Sequence, residues 1–205
     1  MDQTPLRWIS PSSQPRRPRR TPTALVAVVG MTLLLGGCQA KPPTTTLADP
    51  AIKARELNTQ GIAAKDPAEA KKLFAAAVAA DPLYGPAQNN FGIACLQEGD
   101  YFHAAQAFDQ AIKLMPQDPE PRTNLGLVFE AAGQYRNAQK QLEAVLVIAP
   151  EHMPAIQALA RVRVRIGTVD EVILGYLRAV ALRGTDETWR NWAKRELLKR
   201  NAERE

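Results

Sequence analysis

The chain has 205 residues, of which 45% are hydrophobic, 23% charged and 6% aromatic. This length allows one domain or a short array of repeats with a buried core. Two His and two Cys are too few for a Cys/His metal cluster or a disulfide framework. The formal net charge of +5 suggests nucleic acid or an anionic membrane surface only if the basic residues lie in the folded part of the chain.

The first segment, residues 1–37, is predicted to be an export signal. Residues 1–22 are irregular and contain five Pro and five Arg. They are followed by an uncharged, mostly apolar run of 12 residues, 24–35. This run is shorter than the roughly 20 residues that span a bilayer. A basic segment followed by a short apolar run is typical of a signal peptide.

The apolar run ends in the sequence Leu34-Leu35-Gly36-Gly37-Cys38. Small residues before a Cys resemble the lipobox of bacterial lipoproteins. The resemblance implies cleavage before Cys38 and acylation of its thiol, which makes a stable membrane anchor. Gln39, rather than Asp, follows, which by the Gram-negative sorting rule implies the periplasmic side of the outer membrane if the organism has one. The alternative is an uncleaved anchor with an incidental Cys.

Most of the basic excess belongs to this signal. Residues 1–37 hold five Arg and one Asp, which leaves 21 of the 26 basic and 20 of the 21 acidic residues from Cys38 onward. Export and a near-neutral remainder both argue against nucleic acid as a partner. Residues 38–50 include a Pro/Thr-rich stretch and are predicted to be a lipidated, extended tether. A basic C-terminal end, residues 161–205, could face anionic lipid or an acidic partner.

A 34-residue period organises the rest of the chain. Three sets of residues recur at this spacing: Gly99, Gly133 and Gly167; Pro82, Pro116 and Pro150; Ala104 and Ala138. Within each unit, apolar residues follow helical spacing in two blocks separated by a Gly turn. The pattern resembles the tetratricopeptide repeat. The resemblance implies an all-α, right-handed solenoid of about four helix pairs over residues 51–184, with a capping helix at 185–205.

Individual positions carry specific expectations. Gly92 and Gly126 should let the two helices of a unit approach, with Phe108 and Leu142 filling the adjacent space. Gly99 and Gly133 should end the first helices, because a left-handed residue favours Gly. Pro67 should begin a helix that Asp66 caps. In the fourth unit, residues 168–171 are predicted to form a capping box, and Val172 replaces the usual Ala.

The last helix is expected to use one apolar stripe for packing. The stripe consists of Trp189, Trp192, Ala193 and Leu197. Four basic residues are expected to remain in water: Arg190, Lys194, Lys199 and Arg200.

No catalytic constellation is recognisable in the sequence, and we expect no enzyme activity, cofactor, metal site or small-molecule substrate. His103 and His152 lack neighbours at a metal-ligand spacing and are expected at the surface. Cys95 falls at a position that is normally buried in such repeats and is expected to fill the core. A phosphate loop and a nucleophile elbow are likewise missing from the sequence.

The resemblance implies a binding surface on the concave face, lined by the first helices of the pairs. The residues predicted to form this peptide-binding groove are Asn58, Asn89, Asn90, Ile93, Thr123, Asn124, Leu127, Arg161 and Arg165. Asn90 and Asn124 are 34 residues apart and are expected to form a ladder of amides that pairs with a peptide backbone. Arg161 and Arg165 could accept a carboxylate. The alternative is that these amides cap loops or face water and that the two Arg form a solvated basic face.

The sequence therefore predicts a membrane-anchored protein-interaction scaffold of the bacterial cell envelope. It resembles small tetratricopeptide lipoproteins, such as pilotins, that help to assemble pili, including the Flp/Tad type, and secretion machines. The partner would be a protein or an extended peptide held in the groove. The alternative function is an adaptor that docks envelope proteases or cell-wall enzymes onto client proteins.

Overall fold

The computed structural model describes residues 49–202, and this part of the chain consists of nine α-helices without strands. The helices are α1 (Pro50–Ala63), α2 (Pro67–Ala80), α3 (Gly85–Gln97), α4 (Tyr101–Leu114), α5 (Pro119–Ala131), α6 (Tyr135–Ile148), α7 (Met153–Ile166), α8 (Glu171–Arg183) and α9 (Glu187–Ala202). The predicted signal peptide, Cys38 and most of the predicted tether lie outside the described residues. None of the nine helices combines the length and apolar character needed to cross a bilayer.

The helices pack as consecutive pairs, and each pair packs against the next, which confirms the predicted all-α repeat fold. The first helices of successive pairs touch one another, whereas successive second helices barely meet. The stack therefore curves toward α1, α3, α5 and α7. We call the surface formed by these first helices the inner face and the surface formed by α2, α4, α6 and α8 the outer face.

The helix ends follow the sequence signals. Gly99, Gly133 and Gly167 each follow a first helix with positive φ angles of 79°, 74° and 78°. This left-handed conformation strains any residue with a Cβ, which explains why Gly recurs there. Asp66 caps α2 by accepting a hydrogen bond from the backbone N–H of Ala68, as predicted.

The predicted close approach of paired helices is also confirmed. A Cβ on Gly92 would lie 2.7 Å from a ring carbon of Phe108, and a Cβ on Gly126 would lie 2.8 Å from Leu142 Cγ. Both large side chains are fully buried. The missing Cβ is therefore what allows each first helix to receive the side chain of its second helix.

Helix α8 departs from the 34-residue alignment. Its N-cap is Asp170, whose carboxylate accepts from the backbone N–H of Ile173 at 3.0 Å. The predicted capping box beginning at Thr168 is therefore wrong. Relative to the Gly that precedes each helix, α8 starts two residues later than α4. Residues at equivalent positions in the 34-residue alignment therefore point in different directions around the two helix axes. Val172, which aligns with the buried Ala104, is 61% exposed. The residues that are buried instead are Ile173, Leu174, Leu177 and Val180.

Helix α9 closes the C-terminal side of the described stack. Trp189 and Ala193 are buried in the same apolar cluster as α7 and α8, and Trp192 meets Trp189 edge-on at 5.5 Å between ring centroids. Arg190 does not remain in water as predicted, because its guanidinium donates to the carbonyl of Gly184 at 3.0 Å. Arg200 is also partly buried rather than fully solvated.

Candidate functional site

The structure places most of the predicted groove residues inside the stack. Six of the nine are at most 4% exposed: Asn58, Asn89, Asn90, Ile93, Thr123 and Asn124. Leu127 and Arg161 are partly buried, and Arg165 is exposed. The reason is that successive first helices contact one another, so the flanks of these helices that face their neighbours belong to the interior.

The buried amides pair between neighbouring repeats, and the predicted Asn90–Asn124 ladder is wrong. Asn90 Nδ2 donates to Asn58 Oδ1 at 2.9 Å, and Asn124 Nδ2 donates to Asn89 Oδ1 at 3.1 Å. The Nδ2 atoms of Asn58 and Asn89 are buried without a hydrogen-bond partner among the described residues. Each bond joins two first helices, α1 to α3 and α3 to α5. The amides therefore link the repeats, and their polar atoms are not displayed on the surface.

The structure gives Thr123 a local role as well. Its hydroxyl donates to the carbonyl of Pro119 one turn earlier in α5, at 2.8 Å. Because Thr123 is only 1% exposed, this hydroxyl is satisfied inside the stack and presents no donor to the inner face.

Arg161 is held in place by a buried carboxylate. Its Nε and Nη2 atoms donate to the two oxygens of Glu130 at 2.6 and 2.7 Å, and the side chains are only 15% and 8% exposed. On its other side the guanidinium lies 4.7 Å from the ring centroid of Trp189. This bidentate pair ties α5 to α7, and the cation–π contact extends the link to α9. Arg161 thus has most of its binding capacity already used.

Arg165 is the arginine of the predicted pair that remains accessible. Its side chain is 56% exposed, and its Nε lies 3.9 Å from Glu130 Oε1. Its Nη1 is 3.4 Å from the hydroxyl of Tyr135. Two guanidinium groups share one carboxylate here, so the cluster of Glu130, Arg161 and Arg165 carries a net charge of about +1. The excess charge is presented to solvent by Arg165.

The remaining reactive side chains are accounted for by packing. Cys95 is fully buried, as predicted, and burial raises the pKa of its thiol to about 11. His103 is exposed and pairs with Asp100 at 2.7 Å. His152 is not at the surface as expected, because its side chain is 13% exposed and its Nε2 lies 3.9 Å from Glu120 Oε1. Among residues 49–202, no three His, Cys, Asp or Glu side chains are grouped so that they could hold a metal ion.

The sequence reasoning missed Glu130, which organises both arginines. A usable signal was present, because interacting polar residues on the first helices lie close to one repeat length apart. The separations are 31 residues for Glu130–Arg161, 32 for Asn58–Asn90 and 35 for Asn89–Asn124. Searching for complementary side chains at these separations, rather than identical ones at 34, would have found all three pairs.

Two family models, both described as tetratricopeptide repeat, match residues 62–119 and 96–162. No curated protein matches the chain. Among solved structures, the first tetratricopeptide domain of Spaghetti (RPAP3) bound to the HSP90 peptide SRMEEVD is 20% identical with a TM-score of 0.54. That alignment covers 57% of this chain and 95% of that chain.

Two further solved structures are similar. MamA is 24% identical with a TM-score of 0.56, covering 63% of this chain and 76% of that chain. A Thermobaculum terrenum O-GlcNAc transferase mutant is 21% identical with a TM-score of 0.58, covering 64% of this chain but only 27% of that chain. At such identities these likenesses concern the fold, and the fold occurs both in a peptide complex and as part of a transferase.

The helices described here define an all-α helical repeat protein. Within this repeat fold, residues 62–162 are similar to the tetratricopeptide repeat, as the two matching family models show.

Proposed function

We propose that this protein is a membrane-anchored scaffold of the bacterial cell envelope whose inner face binds an extended segment of another protein. The family and the fold support a protein-interaction role, and the structurally similar RPAP3 domain holds a peptide. The observation that carries the proposal is the combination of half-buried apolar side chains on the inner face with the exposed, cationic Arg165.

The apolar part of this surface comes from the first helices. Ile62, Leu96, Leu127 and Val164 are partly buried. Each Å² of apolar surface that a partner covers contributes about 25 cal/mol of favourable free energy to binding. Arg165 supplies the polar anchor, because Arg161 is already held by Glu130. The partner segment would therefore pair aliphatic residues with an acidic side chain or a terminal carboxylate next to Arg165.

Attachment to the membrane rests on Cys38. Acyl chains on that residue would anchor the chain, and residues 38–50 would hold the repeats away from the lipid surface. Replacing Cys38 with Ser removes the acylated atom, so the variant should leave the membrane fraction while keeping its helical circular dichroism spectrum. A Cys95→Ser variant is the matched control and should stay with the membrane. If Cys38→Ser still sediments with membranes, the anchor is not the lipid.

The machine that the scaffold serves is proposed to be a pilus or a secretion apparatus. Affinity purification of the tagged chain from solubilised envelopes should enrich a secretin or a pilus-assembly component, and deletion of the gene should misplace that component. Enrichment of a protease or cell-wall hydrolase instead would favour the adaptor function. Correct placement and assembly of every secretin and pilus in the deletion strain would contradict the assembly function.

A further inference from the structure

The outer face carries a cleft that the peptide-binding proposal does not use. It has a volume of about 360 Å³ and lies between α6 and α8, above α7. Its floor contains the buried Leu159 and Ile173. Val147 on one wall is 83% exposed, and Val172 on the other is 61% exposed. The cleft therefore has a floor of buried apolar residues and two apolar wall side chains that remain exposed within the described part of the chain.

The cleft follows from the turned register of α8. If α8 followed the repeat alignment, Val172 would occupy the buried position that Ala104 and Ala138 hold in the two preceding repeats. The later start at Asp170 instead turns Val172 outward, next to Val147 of α6. The opening is therefore a property of this fourth repeat and not of the fold in general.

The rim of the cleft is acidic. The carboxylates of Glu143 and Asp170 are 48% and 55% exposed, whereas Arg163 between them is 17% exposed. Arg163 donates to Asp170 at 2.8 Å, to Glu143 at 3.5 Å and to the carbonyl of Thr168 at 2.9 Å. One cation faces two carboxylates, so an unbalanced negative charge remains on the more exposed atoms. A complementary ligand would combine an aliphatic side chain with cations.

Such a combination exists on α9 of the same protein. Leu198 is 68% exposed, and Lys194 and Arg195, four and three residues earlier, lie on the same side of the helix and are exposed. Within residues 49–202, the side chains of Lys194 and Arg195 have neither an ion pair nor a hydrogen bond. The exposed side of α9 therefore presents an aliphatic residue next to two uncommitted cations.

We propose that the α6–α8 cleft binds α9 of a second copy of this chain. Leu198 inserts between Val147 and Val172, and Lys194 and Arg195 face Glu143 and Asp170. The cleft and the exposed side of α9 are different surfaces of one molecule. A contact between them is heterologous, so each bound copy still offers one free surface, and copies add head to tail unless the arrangement closes into a ring. Because its ion pairs lie at an exposed rim, the association should weaken as salt rises.

Site-directed disulfide trapping tests the contact in the full chain. One population carries Val147→Cys and the other carries Leu198→Cys, with different tags. Mild oxidation of the mixture should give a covalent heterodimer. The matched control replaces Val147→Cys with Leu83→Cys, since Leu83 is 76% exposed but lies in the loop between α2 and α3, away from the cleft. Cys95 is buried and will not interfere, and chains without the added Cys report any background from Cys38.

A charge exchange provides a second, independent readout. Lys194→Glu should weaken self-association, measured by analytical ultracentrifugation, by about tenfold or more, because like charges then meet at the rim. Glu143→Lys alone should weaken it similarly. The two changes together should restore much of the lost association. Circular dichroism must show unchanged helix content in each variant.

Three results would overturn the proposal. The first is a chain that stays monomeric up to its highest soluble concentration, even if the cleft captures a different protein. The second is trapping at Leu83→Cys equal to trapping at Val147→Cys. The third is a double charge exchange that shows no rescue.

Discussion

Replacing Asn90 with Ala should destabilise the fold, because the amide bonds inside the stack. Its Nδ2 donates to Asn58 Oδ1 at 2.9 Å, and both side chains are fully buried. A net hydrogen bond contributes about 1 kcal/mol, and a buried polar atom left without its partner costs about 1–3 kcal/mol. Because Asn90→Ala strands the buried Asn58 Oδ1, the larger cost applies, and we expect the free energy of unfolding to fall by about 1–3 kcal/mol.

The same geometry predicts strong coupling between the two positions. Once Asn58 is replaced by Ala, removing Asn90 no longer strands a buried carbonyl oxygen. The double variant Asn58→Ala/Asn90→Ala should therefore lose less stability than the sum of the single variants, by about 1–2 kcal/mol. Urea unfolding followed by far-UV circular dichroism measures all four corners of the cycle.

The control is Asn191→Ala on α9, whose side chain is exposed and should change stability by less than about 0.5 kcal/mol. If Asn90→Ala changes stability as little as Asn191→Ala does, or if the cycle is additive, the buried amide pair does not stabilise the stack.

Three further predictions concern packing, charge and pH. Gly92→Ala should destabilise the fold by about 1–2 kcal/mol, since its Cβ would meet Phe108. In the control Gly175→Ala the added Cβ meets nothing within 4 Å, so this variant should stabilise the fold by about 0.5–1 kcal/mol. Urea unfolding measures both changes in stability, and equal changes would contradict the close approach of the paired helices. Arg161→Ala should lower the stability of the fold by about 3 kcal/mol or more, because it leaves Glu130 buried without its bidentate partner. Arg165→Ala should lower it by less than about 0.5 kcal/mol. Equal losses of stability in thermal unfolding would refute this difference. Burial lowers the pKa of His152 below its usual 6.5, although Asp118 opposes the shift. The folded state therefore binds fewer protons than the unfolded state, so the free energy of unfolding should fall as the pH drops through about 6.5. The variant His152→Gln should remove that part of the fall.

The repeat fold could be predicted from the sequence because its signals are local and periodic. Gly99 and Gly133 recur where each first helix must end in a left-handed residue, and Gly92 faces the large side chain that needs its missing Cβ. These requirements arise within a single unit and are repeated with it. Equivalent positions in the two central repeats therefore adopt the same local structure, as the sequence period predicts.

The fourth repeat shows where this reasoning fails. Alignment by the 34-residue period places Val172 where Ala104 and Ala138 are buried, but the position of the N-cap decides which face of a helix is buried. Asp170 competes with Thr168 for that role, and its hydrogen bond to the N–H of Ile173 settles the start of α8. A shift of two residues in the start turns the helix and produces the cleft on the outer face.

The candidate site was predicted less well than the fold. The sequence placed polar residues on the first helices but could not show which of them face solvent and which face the next repeat. That difference depends on how closely successive first helices approach. Glu130 and Arg161 bind each other for the same reason, and this leaves Arg165 as the accessible cation. Burial between neighbouring elements is a property of the assembled stack.

The central claim is that the inner face of the repeats binds a segment of a partner protein. The direct test is the affinity of the full chain for the partner recovered from envelopes, measured by titration calorimetry for two matched double variants. Leu127→Ser/Arg165→Ser changes the inner face, and Leu182→Ser/Arg178→Ser makes the same changes at exposed positions of α8. We predict that the inner-face variant binds at least about tenfold more weakly, equivalent to about 1.4 kcal/mol, while the α8 variant binds as the native chain does. Equal affinities for both variants would contradict the account.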